Sequence, residues 1–202
     1  MKKSIFPKFL SVALALFILS LVLTSCGLSS NGKKELIGTM FRGYTADAEY
    51  LFEVDGQSVA GTACITKDEN IRIDITAPEP YTGICILSDA NDSASIISIS
   101  YSGIKADVPK SALDKLSLVL TIFGDTALDA IDKAPSKSFV RCEETYSLEG
   151  LGDTEPYEVG FSVGDIDYIY VYDSVTGAPI DLVAKSGGNA VEIKIRKLKT
   201  AQ

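Results

Sequence analysis

The sequence predicts a mainly β fold of the α+β class, a curved antiparallel sheet of about ten strands with a helical plug. Three observations carry this. From Tyr44 onward, apolar residues alternate with polar ones in segment after segment, with turn residues between them. The turns are too short to hold crossover helices, so neighbouring strands run antiparallel. One stretch alone changes period: from Ser111 to Lys133, Leu113, Leu116, Leu120, Phe123, Ala127 and Ile131 recur every three or four residues and share one helical face. An apolar helical face between two runs of strands needs a sheet to lie on.

The amino-terminal residues read as an address. Lys2, Lys3 and Lys8 form a basic segment, and Phe9 to Leu23 is an apolar run of 15 residues, short of the ~20 that span a bilayer. Leu23, Thr24, Ser25 and Cys26 follow at once and resemble the lipobox of bacterial lipoproteins. That resemblance implies a signal peptide over 1–25, cleavage before Cys26, and lipidation of its thiol, with palmitate-type acyl chains as the anchor. Two or three acyl chains anchor stably, where one does not. Residues 26–34 are short and polar, as a tether should be. Residues 35–202 then form a single domain, beginning with one or two helical turns over 35–41.

The expected location is extracytoplasmic, with the chain lipid-anchored to the cell membrane or to an outer membrane. The mature chain keeps 16 basic and 27 acidic residues, a net charge of −11. Such a surface argues against nucleic acid as a partner, because that binding depends on basic patches. It also argues against adhesion to anionic headgroups by charge. The partners expected are the membrane through its lipid anchor, a lipid or acyl-chain ligand, and an envelope protein.

In the first β run, Ala46, Ala48, Tyr50, Phe52 and Val54 alternate with acidic residues, and Asp55-Gly56 signals a hairpin. Val59, Gly61, Ala63 and Ile65 continue the pattern, as do Ile71, Ile73 and Ile75 before Pro78 and Pro80. A strand over 83–87, a turn over 89–92 and a strand with Ile97, Ile99 and Tyr101 follow; 104–108 leads to the helices. Gly124 suits a left-handed stop and Asp125 a new cap, so the helical stretch divides into roughly 111–123 and 126–133. Pro135 ends it. Strands resume over 139–148, and 149–156 is an acidic loop. Tyr157, Val159, Phe161 and Val163 form the next strand, followed by Tyr168 to Tyr172, 180–185, and a last strand with Val191, Ile193 and Ile195. Lys194, Arg196 and Lys197 lie opposite those Ile residues, as if blunting a sheet edge. The stripe of Tyr168, Tyr170 and Tyr172 suits a cavity lining or partner surface, or simply an aromatic strand.

Strands on both sides of a mid-chain helical plug resemble the LolA/LolB superfamily of lipoprotein carriers, receptors and lipid-binding lipoproteins. The likeness covers about residues 44–198. It is clearest at Ile71-Arg72-Ile73-Asp74-Ile75-Thr76-Ala77-Pro78 followed by Gly83, and at Tyr101-Ser102-Gly103 with Pro109. It implies an unclosed β-barrel with helices on the concave side and a cavity for acyl chains between them. The ligand-lining residues expected on this basis are Ile73, Ile75, Ile97, Leu116, Leu120, Phe123, Val159 and Phe161. Soluble carriers of the family lack a lipobox, so this chain matches the anchored branch. Such a chain either binds a hydrophobic ligand or serves as a cargo-free interaction module for an envelope or cell-wall protein.

Catalysis is not expected. The chain has no His, which excludes Ser-His-Asp and Cys-His chemistry and most zinc sites. Asp165 and Asp167, with Glu149, Asp153 and Glu155, lack EF-hand spacing and read as solvated turns. No metal or cofactor is expected, and no catalytic residue is assigned. Three cysteines remain beyond Cys26. Either two pair and one is free, or Cys64, Cys85 and Cys142 are three buried thiols. Strand spacing favours thiols: Cys64 and Cys85 lie two strands apart, nearly ~10 Å, beyond the ~7 Å limit of a disulfide.

Overall fold

The computed structural model describes residues 43–89, 96–112, 114–150 and 152–200, without the side chains of residues 114–116 and 136. The expected signal peptide, tether, amino-terminal turns and most of the 89–92 turn lie outside these residues. β1 (Tyr44–Val54) and β2 (Gln57–Lys67) form a hairpin. Its turn residues Asp55 and Gly56 both have positive φ, 51° and 76°, the geometry that matches strand twist in a tight hairpin. β3 (Asn70–Ala77), β4 (Cys85–Asp89), β5 (Ile96–Tyr101) and β6 (Ile104–Pro109) continue the meander. β5 and β6 are joined by Ser102 and Gly103, again both at positive φ. The segment expected only to lead to the helices is thus a strand in its own right.

The helices are α1 (Asp114–Thr121) and α2 (Asp125–Lys133). Gly124 does separate them, but as an extended residue at φ −74° that caps the start of α2, not as a left-handed stop. Asp125 is therefore the first residue of α2, where its charge suits the helix dipole. Ala134 leaves the helix in an extended conformation, as a residue before proline must.

β7 (Phe139–Arg141), β8 (Ser147–Leu148), β9 (Gly152–Asp153), β10 (Pro156–Val163), β11 (Ile166–Asp173), β12 (Pro179–Ser186) and β13 (Asn189–Thr200) complete the chain. The strand expected over 139–148 stops at Arg141, and part of the expected acidic loop is the small β8–β9 hairpin.

The main sheet is curved, unclosed and antiparallel, with eleven strands in the order β6-β5-β4-β3-β2-β1-β13-β12-β11-β10-β7. The last strand is not an edge. β13 pairs with β1 on one side and β12 on the other, and its basic residues face acidic neighbours across the outer face: Arg196 bonds Glu49 at 2.6 Å. β12 stops before β13 does. There Glu149, beside β8, bonds the backbone of Arg196 and Leu198 in the place of the next strand.

α1 packs on β12 and β13, and α2 on β10. Beneath them the core is closed. Leu120, Ile122, Phe123, Leu128 and Ile131 are buried against Val159, Tyr170, Tyr172 and Leu182. The Tyr170 hydroxyl donates to the carbonyl of Ile122 at 2.6 Å. That carbonyl lies just past the end of α1, where helix carbonyls lack a partner in their own helix.

A candidate ligand cleft

Among the described residues, no helix packs over the other part of the concave face in this way. β1 directs Tyr50, Phe52 and Val54 inward, and across from them β2 carries Gly61, Val59 and Gln57. Further along, Ala63 and Ile65 follow on β2, and Ile73 and Ile75 on β3. Large side chains at one end of the strands facing small ones at the other leave an open cleft of about 590 Å³, within the ~300–1,000 Å³ of ordinary ligand pockets. Its far wall is Ile84, Ile86 on β4 and Ile99 on β5, and Tyr81 stands at its rim. Among the described residues Val119 reaches it from the helices, and Ile193 closes the side toward the core.

Gly61 shows how closely the wall is built. A Cβ at this position would overlap the Ala77 carbonyl and the Tyr50 ring and hydroxyl. The Tyr50 ring lies across the glycine, and its hydroxyl donates to that same carbonyl at 2.8 Å. Phe52 meets Tyr50 edge to face at 6.4 Å. Burial pushes the Tyr50 hydroxyl above its ordinary pKa, and nearby Tyr81 adds to this. Among the described residues the polar groups at the cleft are Asp55, Gln57 and the two tyrosine hydroxyls, and none is a lysine or arginine. Such a surface offers no nucleophile and no paired acid and base. It can hold an apolar chain, at roughly 0.8 kcal/mol for each CH₂ removed from water.

The residues expected to line a cavity divide between the two halves. Ile73 and Ile75 face the cleft. Ile97, Leu120, Phe123 and Val159 lie fully in the closed core. Phe161 is stacked on Tyr168 at 5.0 Å and meets Tyr170 edge-on. Leu116 falls on α1, and its side chain is outside the described set. Tyr50, Phe52, Val119, Ile84, Ile86 and Ile99 were not singled out from sequence. The usable signal was the bulky inward phase of β1 set against Gly61 and Ala63 on the next strand.

Cys64, Cys85 and Cys142 are free thiols. Asp74 on β3 pairs with Cys64 on one side and Cys85 on the other, so a whole strand separates the two, as their spacing required. Burial raises the pKa of each thiol, and neighbouring carboxylates raise it further. Among the described residues no group of His, Cys, Asp or Glu is placed to hold a metal ion.

No protein-family model matches this chain, and no curated protein matches it. Solved structures do. The chain is similar to LolA superfamily proteins. One from Nitrosomonas europaea shares 9% identity, with 87% of this chain and 94% of that one covered and a TM-score of 0.41. LprF from Mycobacterium bovis shares 10%, covering 84% and 93%, at 0.42. A chain of the Pseudomonas aeruginosa MucA/MucB complex shares 12%, at 0.37; 86% of this chain matches 57% of that longer one.

Proposed function

We propose that the protein is a membrane-anchored extracytoplasmic lipoprotein that binds a lipid or other hydrophobic ligand in the cleft of β1–β5. The supporting observation is the open apolar cleft of about 590 Å³ lying beside a fully closed core. A folded chain that fills one half of its concave face and leaves the other open has room for apolar cargo. The anchor follows from the Leu23–Cys26 pattern, with 1–25 as signal peptide, Cys26 as the lipidated residue, 26–34 as tether and 35–202 as the binding domain. Of the residues first expected to line the site, Ile73 and Ile75 carry the proposal, joined by Tyr50, Phe52 and Ile86.

Native mass spectrometry of the protein purified from membranes tests this directly, together with displacement of a fluorescent acyl probe. Co-purified lipid and saturable probe binding are expected, with binding lost in Ile75→Trp. A second reading has the filled helix–sheet core in its favour: a cargo-free interaction module that partners an envelope or cell-wall protein. Absence of lipid and of probe binding in the wild-type chain overturns the first reading and leaves the second.

A further inference from the structure

The two edges of the main sheet differ. β7 is three residues long, whereas β6 is six, and no strand pairs with its outer side among the described residues. Little blunts β6. Ile104 is 74% exposed, Ala106 is exposed, and Pro109 stands only at the strand's end. A long open edge of this kind is a template for pairing with another strand. Which strand it accepts is a question of side chains.

We propose that β6 is a self-complementary edge through which two copies of this chain join into one continuous sheet. In an antiparallel pair related by a two-fold axis through Ala106, Ile104 lies opposite Val108 of the second copy, and Lys105 opposite its Asp107. The apolar pair falls on the concave face. Lys105 and Asp107 share the outer face, 3.5 Å apart within one chain and both more than half exposed. Shifting the register by one residue sets Ile104 against Asp107 and puts side chains on the wrong faces. Shifting by two in either direction sets Lys105 against Lys105 or Asp107 against Asp107, and directly opposed like charges destabilise a strand pair. One register alone satisfies both faces. Pairing of identical edges also closes on itself as a dimer, whereas β6 against β7 would propagate as an open chain.

The pairing has a geometric consequence for the cleft. Ile99 lines the cleft and pairs with Ala106, and Ala106 sits on the two-fold axis. The far walls of the two clefts therefore lie on either side of the paired β6 strands. The dimer itself does not depend on the cleft holding a ligand. Six residues make a small contact, and anchoring on a shared membrane raises the effective concentration of its two halves.

Cysteine cross-linking of the full-length, membrane-bound protein is the test. Opposed residues in an antiparallel pair have Cα atoms roughly 4.5–5.5 Å apart, within the ~4.4–6.8 Å of a disulfide. Ala106→Cys is expected to oxidise to a covalent homodimer, while Val140→Cys on the opposite edge is not. Adding Lys105→Glu or Asp107→Lys should abolish the cross-link, and adding both should restore it, because the exchanged charges again oppose each other. These side chains are exposed, and an unchanged melting temperature confirms folding. Equal cross-linking at positions 106 and 140, failure of the double exchange to restore it, or capture of some other protein alone would overturn the self-pairing. Probe binding by a chain that stays monomeric would leave the cleft proposal standing and remove this one.

Discussion

The Tyr170 hydroxyl reaches 2.6 Å to the Ile122 carbonyl from a side chain with no solvent exposure. Tyr170→Phe keeps the ring and orphans the carbonyl, so a loss of about 1–3 kcal/mol is expected in denaturant unfolding. A change within error would show that water replaces the hydroxyl. Asp181 behaves in the opposite sense. Burial and, after it, the nearby Glu192 charge push its carboxyl up to about 6. A carboxyl raised in the folded state binds its proton more tightly there than in the unfolded chain. Stability therefore rises as pH falls through about 6 toward 4 and is lost in the other direction. Asp181→Asn should stabilise the protein near neutral pH and flatten its melting profile across that window. A variant whose profile parallels the wild type refutes this. The thiols give a third check. A chain lacking Cys26, unfolded without reductant, should titrate three thiols; the folded chain should alkylate slowly at neutral pH, because all three pKa values are raised.

At the level of elements, the two halves of the concave face make contrasting predictions. Leu120 is 2% exposed on the buried face of α1, so Leu120→Trp overpacks a filled core and should cost about 1–3 kcal/mol or more. Had that space been the cavity, the change would have been tolerated. Ile75→Trp points into open volume, so its melting temperature should stay near the wild type while acyl-probe binding is lost. If both variants melt alike, the division into closed and open halves is wrong. The strands and helices were legible in the sequence because their periods are local. Alternation in 44–54 and the four-residue spacings 116/120 and 127/131 each belong to a single element. The Gly124 conformation was misjudged because an extended cap and a left-handed stop use the same residue. The position of the cleft was not legible for a different reason. Which face of α1 meets the sheet shows in the pattern, but which strands lie beneath it does not. The helices pack on β10, β12 and β13, and the cleft opens among the side chains of β1–β5.

Across the whole molecule, the anchor is tested by Cys26→Ala, which should move the protein from the membrane fraction to a soluble or unprocessed form. Unchanged fractionation and size would remove the anchor from the proposal. The class of the fold was readable from short turns and a single helical interruption. The strand order was not, since β13 looked like an edge from its basic residues, and only its pairing with β1 places it inside. That placement bears on the order of events in assembly. β1–β6 and β7–β13 are each a local meander, and the β1–β13 ladder, from Tyr44 against Thr200 onward, joins them. The contacts that unite the sheet thus link its first strand to its last, and closing so long a loop is the slow step of folding. The seam cannot form until residues 189–200 are available to pair with β1.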